Sequence, residues 1–305
     1  MARYLITGGA GFIGRHLVRH LLAEGHAVGI LDNFSTGTRE PFPEGVEVIE
    51  GDACDPGVAA AAVADRDGVF HLVAMPSVIV SDSDPRRNQR SGEVALLSIL
   101  DAALGEPGIR RIVFASSAAV YANGLPLPVT ESAATCPLSN YGVSKLAGEH
   151  YLRAACARQD RLDAVCLRIF NVYGPGQVPG SLYAGVIAKF LHALAEGRPP
   201  VLFGDGRQTR DFIAVQDVVR ACLLAMEAPG RLGGRPLNIA GGRGVPVSEV
   251  WGHLAAAAGS TLVPERQPSH PGEIRDSVAD VTAAGAMIGF HAQTVLPEGL
   301  AALLP

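Results

Sequence analysis

A tyrosine and a lysine four residues apart could carry out acid–base chemistry in this chain. They belong to the segment Tyr141-Gly-Val-Ser-Lys145, and this spacing puts both side chains on one face of a helix. A phenol whose pKa is about 10 is a weak base at neutral pH. A fixed ammonium group close to the phenol would favour the phenolate. The spacing therefore predicts Tyr141 as a base that Lys145 activates, with an accidental match as the alternative.

A glycine-rich turn near the start of the chain could hold a dinucleotide. The segment Thr7-Gly-Gly-Ala-Gly-Phe-Ile-Gly follows an apolar run and opens a helical pattern. Gly8 permits a tight turn, Gly11 lets the backbone approach a pyrophosphate, and Gly14 permits close packing of helix on strand. The pyrophosphate would then lie at the helix N-terminus, beside Phe12 and Ile13, where unpaired N–H groups favour negative charge. Because the chain has 36 glycines, a chance triplet is the alternative.

The residue that ends the second apolar run makes a dinucleotide site the better interpretation. Asp32 lies 18 residues after Gly14, where a carboxylate can accept hydrogen bonds from ribose hydroxyls. It would repel a 2′-phosphate, and the neighbouring Asn33 brings no cation. The predicted cofactor is therefore NAD rather than NADP, with a turn role for Asp32 as the alternative.

The elements that must position these residues alternate along the first half of the chain. Apolar runs typical of buried parallel strands occupy residues 4–7, 27–32, 46–50, 69–73, 112–116 and 165–169. Helical patterns lie between them, near 12–24, 57–64, 90–104 and 141–158. This alternation predicts an α/β fold with a Rossmann-type doubly wound parallel sheet. Glycine and proline clusters after residue 170 predict a smaller C-terminal substrate-binding domain. We expect an NAD-binding domain at 1–170 and a substrate-binding domain at 171–305, with a helix near 215–227 able to pack back on the first.

Composition excludes several classes of function. The chain has 305 residues, a formal net charge of −5 and 48% hydrophobic residues, which predicts a folded protein that binds no nucleic acid. No apolar run approaches the ~20 residues of a membrane-spanning helix. The five cysteines are scattered and predict reduced thiols rather than a metal site. The start, MARYLITGG, shows no export signal, so we expect a cytoplasmic location.

Several further segments carry a resemblance to a known family. They include Phe70-His-Leu, Phe114-Ala-Ser-Ser-Ala-Ala-Val-Tyr, Pro137-Leu-Ser-Asn-Tyr-Gly-Val-Ser-Lys, Arg168-Ile-Phe-Asn-Val-Tyr-Gly-Pro-Gly, Thr209-Arg-Asp-Phe-Ile and Pro271-Gly-Glu-Ile-Arg. Together with the glycine loop they cover nearly the whole chain. The sequence resembles the extended short-chain dehydrogenases/reductases that act as NAD-dependent nucleotide-sugar epimerases and dehydratases, with UDP-hexose 4-epimerases the nearest group.

The resemblance implies roles for particular residues. Ser117 would bond the sugar hydroxyl beside Tyr141, while Lys145 would also hold the nicotinamide ribose. Asp52 would contact adenine, and a helix cap before Pro56 is the alternative for it. The remaining implied contacts are Ala53 and Leu72 to the cofactor, and Asn171, Phe203, Arg210, Arg275 and Ser277 to the nucleotide sugar.

The residues after Ser117 separate the reactions within the family. Related 4,6-dehydratases carry an Asp-Glu pair there, and decarboxylating relatives keep a glutamate at the second position, whereas this chain has Ala118 and Ala119. A methyl group cannot transfer a proton, and 4-epimerisation needs neither side chain. The resemblance thus implies 4-epimerisation of UDP-glucose/UDP-galactose through a 4-keto sugar. The small Ser277, at a position that limits the sugar 2-substituent, leaves room for the N-acetylhexosamine pair.

Three departures from the family pattern leave alternatives open. Met75-Pro76 replaces more polar residues, Gly92 stands where the family helix has an asparagine, and Ala122 stands where a glycine is usual. Another nucleotide-sugar dehydratase or ketoreductase, or a non-catalytic NAD-binding sensor on the same fold, are the alternatives. The resemblance also implies a homodimer formed by the helices near 90–104 and 141–158.

Overall fold

A computed structural model describes residues 1–75, 78–177, 185–269 and 274–304. The chain divides into two compact units. Unit 1 comprises Met1–Ala122, Thr135–Arg168 and Val219–Leu237, and unit 2 comprises Asn123–Ala134, Ile169–Val218 and Asn238–Pro305. These limits differ from a single division at residue 170, because residues 219–237 fold with unit 1 and residues 123–134 with unit 2.

The main sheet has seven strands in the order β10-β6-β5-β4-β1-β2-β3. Its strands are β1 (Arg3–Thr7), β2 (Ala27–Asp32), β3 (Val46–Glu50), β4 (Gly68–His71), β5 (Arg111–Ser117), β6 (Asp163–Ile169) and β10 (Arg235–Ile239). β1 pairs in parallel with β2 and β4, and the pairs β2–β3 and β4–β5 are also parallel. The order reverses at β1 and β4, and open α/β sheets bind ligands at the carboxyl ends of the strands at such a point. The predicted Rossmann-type sheet is therefore confirmed.

Unit 1 has helices at the four predicted places, but the structure adds helices at Val78–Ser83 and Pro85–Gln89 and interrupts the helix predicted near residue 90. The helices are α1 (Phe12–Ala23), α2 (Pro56–Val63), α3 (Val78–Ser83), α4 (Pro85–Gln89), α5 (Ala95–Gly105) and α6 (Asn140–Arg158). Arg90–Val94 form a π-helical turn between α4 and α5, and Ala118–Val120 form a 3-10 turn after β5. The apolar pattern predicted one helix over 90–104, because a single widened turn changes the spacing of apolar residues too little to be read.

The core of unit 1 consists of the apolar strand residues and the helix faces that cover them. Leu5, Phe114, Leu96 and Leu152 belong to one cluster and are at most 2% exposed. Burial of each such side chain contributes roughly 1.5–3 kcal/mol. The segment after residue 219 joins this unit through Arg111, whose guanidinium donates hydrogen bonds to the carbonyls of Ala225, Met226 and Ala228. This core fixes the strand ends at which the glycine loop and Ser117 lie.

Unit 2 has two small sheets and its own core. A three-stranded sheet has the order β11-β9-β7 and a two-stranded sheet pairs β12 with β8. The strands are β7 (Asn171–Tyr173), β8 (Val201–Phe203), β9 (Thr209–Ala214), β11 (Gly244–Pro246) and β12 (Glu265–Gln267). The helices are α7 (Val186–Ala195), α8 (Val215–Glu227), which continues into unit 1, α9 (Val247–Ala257), α10 (Thr282–Ile288) and α11 (Leu296–Ala301). Phe190 packs edge-on against Trp251 at 5.6 Å in the core. Within the described ranges, no helix has the length and apolar character needed to cross a membrane.

Candidate active site

The glycine loop lies at the point where the strand order of the main sheet reverses. Gly8 has a φ of +73°, and a Cβ there would lie 3.0 Å from the Val73 nitrogen beyond β4. The Leu72 N–H donates to the carbonyl oxygen of Thr7 at 3.0 Å, which joins the ends of β1 and β4. A Cβ on Gly14 would lie 2.5 Å from the Gly8 oxygen. Gly8 therefore lets the ends of β1 and β4 lie close together, and Gly14 lets α1 pack against the glycine loop.

The start of α1 offers backbone donors to an anion. Its N-cap is Gly11, which has no side chain to accept a hydrogen bond from the first turn. The N–H groups of Phe12 and Ile13 begin the helix there. Sequence reasoning overlooked Gly9 in this loop, where a Cβ would lie 2.5 Å from Ile30 Cγ2. The adjacent glycines of the Thr7-Gly-Gly segment were the signal for it.

Asp32 is attached to the glycine loop by its carboxylate. Its Oδ2 accepts from the Ala10 N–H at 2.9 Å, and its Oδ1 accepts from the Phe34 N–H at 2.8 Å. A carboxylate has about four acceptor positions, so capacity remains for a ribose diol. The side chain of Asn33 caps its own turn by accepting from the Ser35 N–H. The glycine loop and the end of β2, which would hold NAD, are thus joined by a hydrogen bond. The glycines leave the backbone of the loop open to a pyrophosphate.

The contacts of Asp52 are not those of a helix cap, which was the alternative role predicted for it. Its carboxylate accepts from the Cys54 N–H at 2.9 Å and pairs with Arg90 at 3.0 Å. Although burial acts to raise it, hydrogen bonds from Cys54 and Arg90 hold the pKa of Asp52 below its ordinary value. Asp55 is the N-cap of α2 and accepts from the Gly57 N–H. Asp52 is therefore not the helix cap, while Ala53 beside it is 5% exposed.

Ser117 and Tyr141 meet where the end of β5 approaches the first turn of α6. The Ser117 hydroxyl lies near enough to the Tyr141 phenol to act, against the larger effect of burial, to lower the pKa of the tyrosine. Ser117 is also the N-cap of the 3-10 turn and accepts from the Ala119 N–H at 3.2 Å. Gly142 makes this approach possible, because a Cβ there would lie 2.4 Å from the Ala119 oxygen. The structure thus brings together the serine and tyrosine that the sequence singles out.

Lys145 lies one helical turn beyond Tyr141 in a buried, apolar position. Its Nζ is 4.8 Å from the ring centroid of Phe114 and 5.7 Å from that of Tyr141. Burial lowers the pKa of Lys145 to about 7. Burial also raises the pKa of Tyr141 and outweighs the opposite effect of the nearby Ser117 hydroxyl. Since both shifts disfavour the charged forms, the lysine does not by itself produce a phenolate, and the charge of an oxidised nicotinamide is needed as well.

A buried charge pair beneath the site separates the roles of the two adjacent serines. Glu149 and Arg168 form a two-pronged ion pair with distances of 2.9 and 2.7 Å, and both residues are at most 5% exposed. Ser116 donates to Glu149 Oε1 at 2.6 Å. The guanidinium of Arg168 lies over the ring of Tyr121 at 4.7 Å. Ser116 therefore belongs to this buried network, whereas Ser117 faces Tyr141.

Gly92 has a structural reason that the sequence did not reveal. It lies in the π-helical turn against α6, and a Cβ there would be 2.9 Å from the Cβ of Ser144. A glycine inside a helix costs about 1 kcal/mol. At this position it permits close packing against α6, the helix that carries Tyr141. Of the other two departures, Met75 is 3% exposed and Pro76 lies outside the described residues. Nothing in the structure explains Ala122.

The polar residues predicted to contact the nucleotide sugar are neighbours in unit 2. Asn171, at the start of β7, donates through Nδ2 to the Asp211 oxygen at 3.2 Å. Arg210, on β9, donates through Nη1 to the Arg275 oxygen at 3.3 Å. Arg275 pairs with both carboxylate oxygens of Asp205 at 2.9 and 3.0 Å. Three of the predicted residues therefore converge on β9.

The other two predicted substrate contacts lie beside this group. Phe203 ends β8, two residues before Asp205, and its carbonyl accepts from Gln208 Nε2 at 3.1 Å. Ser277 is half-buried and follows Asp276, which accepts from the Thr209 hydroxyl at 2.7 Å. Residues 271–273 of the Pro271-Gly-Glu-Ile-Arg motif lie outside the described residues.

Comparison with known proteins gives the family. Residues 4–240 match the sequence model of the NAD dependent epimerase/dehydratase family. The chain is 36% identical to the UDP-glucose 4-epimerase of Mycolicibacterium smegmatis over 98% of its own length and 96% of that protein. It resembles the crystal structure of the Thermotoga maritima UDP-glucose 4-epimerase with UDP-glucose, with a TM-score of 0.93 and 34% identity, covering 99% and 97% of the two chains.

A second solved structure widens the range of sugars among the relatives. The UDP-N-acetylglucosamine 4-epimerase of Methanobrevibacter ruminantium, in complex with UDP-N-acetylmuramic acid, has a TM-score of 0.91 and 33% identity. The match covers 98% of this chain and 97% of that one. The predicted cofactor and the expected relationship are thereby confirmed. The chain belongs to the NAD-dependent epimerase/dehydratase family.

Proposed function

We propose that this protein catalyses NAD-dependent 4-epimerisation of a UDP-sugar through a 4-keto sugar. The observation that carries the proposal is the approach of Ser117, at the end of β5, to Tyr141 in the first turn of α6, with Lys145 one turn further along the helix. A base that must accept a hydroxyl proton needs such a fixed partner within hydrogen-bond reach. The relatives named above, which include epimerases of both UDP-glucose and UDP-N-acetylglucosamine, support the same reaction.

NAD, when bound, supplies the acceptor and donor of the hydride at sugar C4. The residues proposed to hold its pyrophosphate are Gly8, Gly11 and Gly14 with the first N–H groups of α1, and Asp32 would hold the ribose. Asp52 and Leu72 are proposed as further contacts. Because the hydride returns to the same carbon, no net oxidation occurs and the cofactor can remain bound throughout.

The protein's own groups handle the proton. Tyr141, as phenolate, takes the proton of the sugar 4-hydroxyl and returns it when the carbonyl is reduced again. Ser117 holds that hydroxyl by a hydrogen bond, and Lys145 favours the phenolate once its amine is protonated. Ala118 and Ala119 offer no second proton donor, which favours epimerisation over dehydration or decarboxylation.

Unit 2 is proposed to bind the nucleotide sugar. The guanidinium groups of Arg210 and Arg275 suit a diphosphate, and Asn171 adds a neutral donor. Phe203 is proposed to line the nucleobase site. Ser277 has a small side chain, which supports acceptance of an N-acetyl group as well as a hydroxyl at sugar C2.

The test is NMR of the protein incubated separately with UDP-glucose, UDP-galactose, UDP-N-acetylglucosamine and UDP-N-acetylgalactosamine, without added reductant. We expect at least one pair to reach the same equilibrium ratio from both directions. Tyr141→Phe should abolish interconversion, whereas Tyr151→Phe, at an exposed position of the same helix, should not. Failure of all four sugars to react in a protein that contains NAD would refute the proposed reaction.

We also propose a homodimer, which exposed apolar side chains support. Val94 and Leu104 near α5 are 40% and 39% exposed, and Val143 and Tyr151 on α6 are 48% and 40% exposed. Light scattering should give twice the 31.7 kDa of one chain, and Tyr151→Glu should lower that mass.

A cytoplasmic location is proposed as well, and the five free thiols are consistent with it.

A further inference from the structure

The backbone that carries Tyr141 is held by side chains from a distant part of the chain. Ser81 Oγ accepts a hydrogen bond from the Tyr141 N–H at 3.1 Å. Asp82 Oδ1 accepts from the Asn140 N–H at 2.9 Å and from its Nδ2 at 3.1 Å. Asn88 Nδ2 donates to the Asn140 carbonyl at 2.9 Å. We call Ser81, Asp82 and Asn88 the α6 clamp.

At the start of α6, more backbone N–H groups have side-chain acceptors than the N-cap residue alone provides. The N-cap of α6 is Ser139, whose Oγ accepts from the Gly142 N–H at 3.1 Å. A helix start leaves four N–H groups without intrahelical partners, and the cap residue satisfies one of them here. The α6 clamp satisfies two more, at Asn140 and Tyr141, with acceptors that lie 58 and 60 residues earlier in the sequence.

Burial and packing make the α6 clamp rigid at its inner side. Ser81 is fully buried and Asn88 is 2% exposed. Asn88 Nδ2 also donates to Ser144 Oγ at 2.9 Å, and Ser144 donates to Glu93 at 3.0 Å. Gly92 in the π-helical turn lies close enough to Ser144 that a Cβ would be 2.9 Å from it. The hold therefore extends from the first turn of α6 into the second, next to Lys145.

We propose that Ser81, Asp82 and Asn88 are positioning residues for Tyr141. The proposal rests on the function proposed above. Tyr141 is the second residue of α6, in the turn of a helix that frays most readily. Its hydroxyl must nevertheless stay within hydrogen-bond reach of Ser117, and a displacement of about 1 Å can cost about 100-fold in rate. The α6 clamp keeps this turn in place without touching the substrate.

Asp82 offers the sharpest test because it is exposed, so its replacement leaves no cavity in the core. Asp82→Ala removes both hydrogen bonds to Asn140. Asp82→Asn removes the same charge but keeps an oxygen that can accept them. Asp101→Ala is the matched control, since it removes an exposed carboxylate from α5, which carries no residue of the α6 clamp. All variants are studied with NAD bound.

Two readouts distinguish positioning from a general loss of stability. We expect Asp82→Ala to lower kcat about 10-fold or more with KM changed less than about twofold, and Asp82→Asn to retain most of the rate. The ionisation of Tyr141, followed as tyrosinate absorbance against a Tyr141→Phe blank, should have a higher midpoint in Asp82→Ala than in Asp82→Asn. These two variants carry the same charge, so the difference reports the lost hydrogen bonds. Asp101→Ala should leave kcat and the tyrosinate midpoint unchanged.

The proposal is overturned if Asp82→Ala keeps the wild-type kcat and the tyrosinate midpoint of Asp82→Asn. It is also overturned if Asp101→Ala lowers kcat as much as Asp82→Ala does. If the wild-type protein interconverts no UDP-sugar, the proposed function fails, while the comparison of tyrosinate midpoints still decides whether the α6 clamp positions Tyr141.

Discussion

Replacing Gly142 by alanine should disable the protein although alanine is the better helix former. Gly142 is the third residue of α6, and a Cβ there would lie 2.4 Å from the Ala119 oxygen and 2.8 Å from Pro137 Cβ. Ordinary contacts of a Cβ begin at 3.4 Å. Helix and 3-10 turn would therefore separate by about 1 Å, and a shift of that size costs about 100-fold in rate. Because Ser117 caps the 3-10 turn, the separation directly increases the distance between Ser117 and Tyr141.

The expected change in stability is small by comparison. Alanine gains about 1 kcal/mol over glycine inside a helix, whereas overpacking costs about 1–3 kcal/mol. Gly142→Ala should thus lower the free energy of unfolding by at most about 2 kcal/mol. The matched control is Gly252→Ala in the middle of α9, an exposed position where a Cβ would meet nothing within 4 Å. There alanine should stabilise by about 0.4–1 kcal/mol and leave the rate unchanged.

The assay compares the rate of UDP-sugar interconversion with the free energy of unfolding in denaturant for both variants. The reasoning predicts a large loss of rate in Gly142→Ala without unfolding, and opposite changes of stability in the two variants. It would be refuted by a Gly142→Ala protein that keeps its rate within about twofold, since a shift of the turn would then not affect catalysis.

Two further predictions follow from buried charges. Burial lowers the pKa of Lys145 to about 7 in the folded protein, whereas an unfolded lysine titrates near about 10.4. Between these values the unfolded chain binds more protons, so the free energy of unfolding of the NAD-free protein should rise from about pH 7 to about pH 10. Lys145→Met should abolish that rise, and parallel curves for the two proteins would contradict it. Glu149→Gln leaves the Arg168 charge uncompensated and should cost about 3–5 kcal/mol of stability in denaturant unfolding. Glu50→Gln, in an exposed pair with Arg39, should change stability little; equal losses would show that burial is not the cause.

Much of the fold and of the cofactor site could be predicted because each depends on short stretches of sequence. The apolar runs of the parallel sheet and the glycine turn are read from neighbouring residues. Asp32 is recognised by its distance from Gly14, and Tyr141 with Lys145 by the helical repeat. The same local logic misread the region near residue 90, where one widened turn is hidden in a helical pattern.

What only the tertiary structure decided involves residues far apart in the chain. Sequence left the choice between Ser116 and Ser117 to resemblance, whereas the hydrogen bond to Glu149 assigns Ser116 to a buried charge network. Likewise, the sequence left a helix cap before Pro56 as the alternative role for Asp52. The structure shows that Asp55 is the N-cap of α2.

The contacts that hold Tyr141 in place show the same division. Sequence by itself determined that a phenol and an ammonium share a helix face behind a dinucleotide-binding turn, because helical geometry links residues four apart. It could not determine that Ser81, Asp82 and Asn88 reach that helix across more than 50 residues. Such contacts depend on where the sheet order brings two helices together, and burial then fixes the pKa values on which the proposed chemistry depends.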